Sequence, residues 1–198
     1  QSMEQSLALA QALLAAGVQT VIATPHYDED YSSAYREHIK EQHSLLVKAL
    51  TGEGLPLCVL LGGEILITPK VMTLAKQKEL PTLHNTDYVL LELPFYQPVP
   101  SYAYSLLFEL RAMGYKPILA HPERIKALQQ GDDIYSLAET GTLFQVNMGS
   151  FAQLYGKAAQ KAAQNIIAEG MAHFMATDSH DSAAPQAFST ILSSSDLP

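Results

Sequence analysis

The chain has 198 residues, of which 47% are hydrophobic and 16% charged, a composition that suits one compact domain. Twelve Lys and Arg residues against twenty Asp and Glu residues give a net charge of −8, which argues against a nucleic-acid partner held through its phosphates. No apolar run approaches the roughly 20 residues of a membrane span, so we expect no membrane insertion. Cys58 is the single cysteine, and the lack of an internal disulfide partner favours a reducing, cytoplasmic setting.

Helix-like and strand-like segments alternate along the chain. Apolar residues at helical spacing predict helices over 6–16, 36–50, 102–113 and 158–168. Short apolar runs predict six strands, at 20–23, 57–61, 88–91, 117–120, 143–146 and 173–176. This alternation is typical of βα units around a parallel sheet or barrel, and no linker or repeat divides residues 1–198 into more than one domain.

Five of the six predicted strands lead into a residue that can bind a metal ion or transfer a proton. These residues are His26, Glu64, Glu92, His121, and the pair Asp178 and His180. The carboxyl ends of parallel strands converge on one face of a barrel, and an open sheet has an equivalent crevice. We therefore predict that the six residues share one pocket.

Three imidazoles and three carboxylates form a mixed nitrogen and oxygen ligand set. Such a set suits Mn, Fe or Zn better than Ca or Mg alone, and bridging carboxylates allow two or three ions to lie together. Two ions about 3.5 to 4 Å apart can hold both the attacking and the leaving oxygen of a phosphoryl transfer. The pattern therefore predicts hydrolysis of a phosphate ester.

Each of these residues taken alone also has a structural interpretation. A histidine at a strand end is often only hydrogen-bonded, His121-Pro122 is compatible with a simple turn, and Asp178-Ser179 with a helix cap. Glu64 and Glu92 are harder to explain in this way, because carboxylates beside apolar strands are costly unless they are paired or bound to metal.

Arg124 follows the fourth strand end closely in sequence. A guanidinium can hold two phosphate oxygens at once and stabilise charge in the transition state. The competing interpretation is a surface arginine paired with Glu123 or Asp132. Aromatic residues that follow strand ends either pack the loops or clasp a flat substrate ring; they are Tyr27, Tyr31, Tyr35, Phe95, Tyr96 and Tyr102.

Five short motifs contain all of these candidates and occur in a fixed order. They are Ala23-Thr24-Pro25-His26, Gly63-Glu64-Ile65, Leu91-Glu92-Leu93-Pro94, His121-Pro122-Glu123-Arg124 and Asp178-Ser179-His180. In this order they resemble the motifs of the PHP-type (polymerase and histidinol phosphatase) phosphoesterases, specifically the CpsB/CapC/YwqE-like bacterial tyrosine-protein phosphatases. The resemblance covers almost the whole chain.

The resemblance implies an α/β fold, a distorted (βα)7 PHP barrel, with up to three metal ions, usually Mn, that supply a hydroxide to attack phosphotyrosine. By position it implies that Glu64, Glu92, His121 and Asp178 bind the more buried ions. His26 and His180 would then serve the outer site, and Arg124 would hold the phosphate. The implied partner is a bacterial tyrosine autokinase that controls capsule or exopolysaccharide export.

Two departures from the family pattern bear on the site. The family begins with a strand that carries HxH and extends beyond the Asp-x-His motif in a closing helix, so we expect the first barrel strand and the C-terminal end to be missing from this chain. Leu66 stands where the family often has arginine, which leaves Arg124 and the metal ions to neutralise the phosphate.

The sequence thus predicts a metal-dependent protein-tyrosine phosphatase. Two alternatives stay open. One is a small-molecule phosphomonoesterase of the histidinol-phosphatase kind, and the other is a non-catalytic PHP-derived protein that docks on a kinase or an export component.

Overall fold

A computed structural model describes residues 2–27 and 32–180. Within these ranges the chain forms a mixed α/β fold with parallel sheets. The strands are β1 Thr20–Ala23, β2 His26–Tyr27, β3 Cys58–Leu61, β4 Glu64–Leu66, β5 Tyr88–Glu92, β6 Lys116–Ala120, β7 Leu143–Asn147 and β8 Ala172–Ala176. The helices are α1 Met3–Ala15, α2 Ser33–Gly52, α3 Lys70–Gln77, α4 Ser101–Ala112, α5 Asp133–Glu139, α6 Met148–Phe151 and α7 Gly156–Ala168, with 3-10 turns at Leu83–Asn85, Pro122–Arg124 and Lys126–Leu128.

The predicted strands and the four predicted helices are all present, with ends that shift by a few residues. Local signals fix several of these ends. The Ser2 hydroxyl and the Gln5 side chain form a reciprocal cap on α1, and Ser32 caps α2. Gly17 follows α1 with a φ of +85°, a backbone conformation that glycine adopts without strain. Among the described residues, none of the helices combines the length and apolar character that a membrane crossing needs.

Five short elements were not predicted. They are β2, β4, α3, α5 and α6, and each spans only two to eight residues. A pattern of period 2 or 3.6 cannot become distinct over so few residues.

The strands form two parallel sheets. β1 pairs with β3, and the other six strands pair in the order β2-β4-β5-β6-β7-β8. The two sheets are separated by breaks at Thr24-Pro25 and at Gly62-Gly63. Glycine suits the second break, because a Cβ on Gly63 would lie only 2.8 Å from the ring of Tyr27. Beyond the breaks, the register sets His26 beside Glu64.

The central strands are buried on both faces, as is usual in parallel sheets covered by helices. Ile65, Leu91, Leu119 and Phe144 have no exposed surface and belong to the same apolar cluster as Leu107 of α4. This cluster fixes the strands whose ends carry the candidate site.

The two outer strands of the larger sheet approach each other at one end. β2 and β8 are at opposite ends of the strand order, yet the rings of His26 and His180 lie 6.1 Å apart and nearly parallel. The sheet is therefore curved enough to bring residues from its two edges together.

Candidate metal centre

Four of the predicted ligands come from adjacent strands at one edge of the sheet. His26 begins β2, Glu64 begins β4, Glu92 ends β5, and His121 directly follows β6. The parallel register pairs His26 with Glu64 and sets Glu92 opposite Leu66 of the neighbouring strand. The curved sheet thus brings together residues separated by almost a hundred positions in sequence.

These four side chains form a compact donor set. One donor atom from each of His26, Glu64 and Glu92 lies within 4.8 Å of the other two. Nε2 of His121 is 2.8 Å from Oε1 of Glu64 and 3.8 Å from Oε2 of Glu92. Glu64 and Glu92 are only 4% and 8% exposed, so their charges need compensation within the protein or from a bound cation.

Glu92 is held in the form that binds cations. Burial disfavours its charge, but the hydrogen bond and charge of His26, together with the charge of His121, outweigh burial and hold the pKa of Glu92 below its ordinary value. Its carboxylate is therefore ionised at neutral pH.

Two site residues have a strained backbone. His121 and Asp178 follow β6 and β8 with φ values of +35° and +47°, in the left-handed region that non-glycine residues rarely adopt. The side chain of His121 is buried, and its Nδ1 has no hydrogen-bond partner among the described residues. The ring of Phe95 stacks on this imidazole at 5.3 Å. The strained turn and the stacked ring together direct Nε2 toward the two glutamates.

Asp178 and His180 form a second group beside the first. Oδ2 of Asp178 accepts hydrogen bonds from Arg124 Nη1 and Asn147 Nδ2, both at 2.7 Å. Nδ1 of His180 lies 2.9 Å from the carbonyl oxygen of Asp178 and 3.5 Å from its Oδ1. The stacked rings of His26 and His180 connect the two groups. In this arrangement Asp178 accepts hydrogen bonds from protein donors, and metal binding by Asp178, as by the other five predicted ligands, stays a prediction.

Arg124 lies at the site rather than on the surface. The interpretation of an arginine paired with Glu123 or Asp132 is wrong, because its guanidinium pairs with Asp178 and its side chain is 23% exposed. The guanidinium lies over two aromatic rings, 4.7 Å from the centroid of Phe95 and 4.1 Å from that of Tyr155. A positive charge is thus held beside the carboxylate and imidazole cluster.

Glu123 is a site residue whose role the sequence did not reveal. It is completely buried, and its Oε1 accepts hydrogen bonds from the Asn147 backbone N–H at 3.0 Å and the Ser150 hydroxyl at 2.7 Å. These bonds tie the loop after β6 to the end of β7 and to α6. The available signal was a glutamate inside the His-Pro-Glu-Arg motif, directly after an apolar strand.

Replacing Glu123 by alanine is expected to lower the free energy of unfolding by about 2–4 kcal/mol, because two buried donors lose their acceptor and a cavity remains. Glu123→Gln keeps an acceptor oxygen and is expected to cost about 1 kcal/mol or less at pH 7. Urea denaturation of the EDTA-treated proteins measures both values. Equal losses in the two variants would contradict the proposed role of Oε1.

The loss of stability caused by Glu123→Gln is also expected to depend on pH. Burial raises the pKa of Glu123, and the hydrogen bonds from Ser150 and Asn147 offset only part of this effect. Its contribution to stability is therefore fully present below the unfolded value of about 4.3 and is lost as the pH rises through the higher folded value. We expect Glu123→Gln to cost more stability at pH 4 than at pH 7; the opposite trend would contradict this assignment.

The aromatic residues near the site have different roles. Tyr27 and Tyr35 pack edge to face, and the Tyr35 hydroxyl donates to the carbonyl of His26, so these rings support a loop. Tyr96 is 87% exposed and is available to contact a bound molecule. Tyr31 lies outside the described residues.

The fold and the site together define a class: a parallel α/β protein with carboxylates and imidazoles gathered at the strand ends around a candidate metal centre. The chain belongs to the family described as capsular polysaccharide synthesis, CpsB/CapC, whose model matches residues 1–188. The family resemblance found in the motifs is thereby confirmed.

Individual relatives agree with this assignment. The tyrosine-protein phosphatase YwqE of Bacillus subtilis is 34% identical over 177 residues, which cover 89% of this chain and 69% of YwqE. CapC of Staphylococcus aureus is 32% identical over 180 residues, covering 90% of this chain and 70% of CapC. A chain from the crystal structures of YwqE of B. subtilis and CpsB of Streptococcus pneumoniae, both metal-dependent tyrosine phosphatases, matches with a TM-score of 0.85 and 32% identity. This match covers 96% of the present chain and 79% of the solved one.

Proposed function

We propose that this protein is a metal-dependent protein-tyrosine phosphatase that acts on a bacterial tyrosine autokinase in capsule or exopolysaccharide regulation. The observation that carries the proposal is the compact set of His26, Glu64, Glu92 and His121, in which all but His26 are buried, with Arg124 held beside it. The relatives named as tyrosine phosphatases provide the substrate class.

The residues fit a divalent metal. Two buried carboxylates and two imidazoles are a donor set for Mn, Fe or Zn, and Mg is compatible with the oxygen donors. We propose two or three ions, with Mn as the physiological metal, bound by His26, Glu64, Glu92, His121, Asp178 and His180. When bound, such ions lower the pKa of water and stabilise negative charge on phosphoryl oxygens.

The side chains of the chain itself have distinct tasks in this proposal. Glu92, ionised at neutral pH, and Glu64 supply negative charge for the cations. His121 presents Nε2 to the same point, since its strained backbone and the Phe95 ring fix the imidazole. Arg124 binds the phosphate through guanidinium N–H groups and stabilises the charge that develops on its oxygens, so it is the proposed catalytic residue.

The architecture proposed for residues 1–198 is one PHP domain, a distorted (βα)7 barrel. The contact between His26 and His180 supports it, because residues at the ends of the two outer strands of the sheet already meet at the site. We place the enzyme in the cytoplasm, where a single unpaired cysteine is stable and the tyrosine tail of an autokinase is accessible.

The test is release of phosphate from a phosphotyrosine peptide by the protein reconstituted with Mn, with an EDTA-treated sample as control. We expect metal-dependent turnover with a kcat/KM at least about tenfold higher than for histidinol phosphate or a phosphoserine peptide. A higher kcat/KM for histidinol phosphate would favour the small-molecule phosphomonoesterase. No turnover on any of the three substrates would favour the non-catalytic binding protein.

A further inference from the structure

The guanidinium of Arg124 lies over two aromatic rings. Its central carbon is 4.7 Å from the centroid of Phe95 and 4.1 Å from that of Tyr155. Its Nη1 donates to Oδ2 of Asp178 at 2.7 Å. Because the N–H groups of a guanidinium lie in its plane, its hydrogen bonds leave through its edges, and Asp178 occupies part of one edge.

The chain makes room for the Tyr155 ring. A Cβ on Gly149 would lie 3.2 Å from Cε2 of Tyr155 and 3.5 Å from its hydroxyl oxygen, so glycine at this position lets the ring lie against α6. Burial, followed by the charge of Asp178, raises the pKa of Tyr155. The phenol therefore stays neutral at physiological pH, and its ring face attracts a cation.

We propose that Tyr155 is a positioning residue that holds the Arg124 guanidinium beside Phe95, so that the guanidinium edge not bonded to Asp178 is directed at a bound phosphate. The inference rests on the proposed function, since it assigns Arg124 to the phosphate. Tyr155 is the better ring to test, because Phe95 also stacks on His121 and its loss would disturb the metal centre.

A first experiment needs no catalysis. The chain has three arginines, so the Nε–H signals in a ¹H–¹⁵N spectrum are few, and Arg124→Lys assigns the one of interest. We expect the Arg124 signal to lie upfield because of the two rings, to return toward the ordinary position in Tyr155→Leu, and to stay upfield in Tyr155→Phe. An ordinary shift in the unaltered protein, or one that Tyr155→Leu leaves unchanged, would overturn the stacking.

Inorganic phosphate added to the Mg-loaded protein then tests the positioning. We expect phosphate to move the Arg124 signal in the unaltered protein and to move it much less in Tyr155→Leu at the same phosphate concentration. An equal response in the two proteins would overturn the inference, whether or not the protein turns over phosphotyrosine.

The kinetic test is a double-mutant cycle on the phosphotyrosine peptide. Tyr155→Leu is expected to lower kcat/KM about tenfold in the unaltered background and less than about twofold in the Arg124→Lys background, because its effect passes through Arg124. Tyr155→Phe should retain most of the kcat/KM that Tyr155→Leu loses. Tyr88→Leu is the matched control, since Tyr88 stacks under Lys116 at 4.9 Å at the other end of β5.

The outcomes separate the inference from the proposed function. Equal losses from Tyr155→Leu in both backgrounds, or the same loss in Tyr155→Phe, would overturn the inference while leaving the phosphatase assignment intact. Absence of turnover in the unaltered, metal-loaded protein would contradict the phosphatase assignment, and the phosphate titration would still decide the role of Tyr155.

Discussion

Glu92→Gln is expected to abolish most phosphatase activity, lowering kcat on a phosphotyrosine peptide by on the order of a thousandfold, and to reduce the number of bound metal ions. The reason lies in the position of its two oxygens. Oε1 is 3.5 Å from Nδ1 of His26, and Oε2 is 3.8 Å from Nε2 of His121, so this carboxylate lies between both imidazoles. The amide keeps the size of the side chain but removes the charge that a cation needs.

Metal content by mass spectrometry of the purified protein and kcat measured with saturating Mn are the two readouts. Glu139→Gln, at the exposed end of α5, is the matched control for loss of one carboxylate. His121→Ala should give the same two losses as Glu92→Gln. Unchanged metal content together with unchanged turnover in the Glu92 and His121 variants would contradict the assignment of this cluster as the metal centre.

Arg124→Lys is expected to lower kcat/KM by about a hundredfold while leaving the metal content unchanged. Lysine keeps the positive charge but loses the planar fork that lies over Phe95 and Tyr155 and reaches Asp178 at the same time. The loss of kcat/KM should therefore arise from the changed orientation of the cationic group and not from a change in its charge.

The control for Arg124 is Arg111→Lys, on α4, which also exchanges a guanidinium for an ammonium. Steady-state kinetics with the phosphotyrosine peptide, measured together with metal content, distinguishes a loss of phosphate binding from a loss of bound metal. Activity within about threefold of the unaltered protein in Arg124→Lys would mean that this side chain does not hold the phosphate.

The sequence predicts six of the eight described strands, because apolar runs are a local property, but it does not predict β2 and β4, which begin with His26 and Glu64. Short, largely apolar runs mark β5, β6 and β7 in the sequence. The polar residue that follows each run can be identified without the structure. The convergence of these ends is also general, since parallel strands share a direction. The prediction of a parallel α/β fold was confirmed for these reasons.

The pairing of side chains within the site could not be predicted from the sequence. Whether Asp178 faces the glutamates or Arg124 depends on the turn after β8 and on the curvature of the sheet, neither of which has a local signal. Glu123 entered the sequence analysis only in the competing interpretation of Arg124, yet it is buried and accepts hydrogen bonds from Asn147 and Ser150. Its partners come from β7 and α6, more than twenty positions away.

The contact between Tyr155 and Arg124 likewise could not be predicted from the sequence. Tyr155 lies in the segment between α6 and α7, and nothing in its immediate sequence indicates a cation. Its ring packs close to Gly149 and lies over the guanidinium. Long-range packing thus determines how the site orients the groups that the sequence identifies.

The most direct test of the metal centre is an anomalous difference map at the Mn edge from crystals of the Mn-loaded protein. We expect at least one strong peak bonded to carboxylate oxygens of Glu64 and Glu92 and to an imidazole nitrogen of His26 or His121. Occupied Mn sites elsewhere in the chain, with no peak between these side chains, would contradict the account.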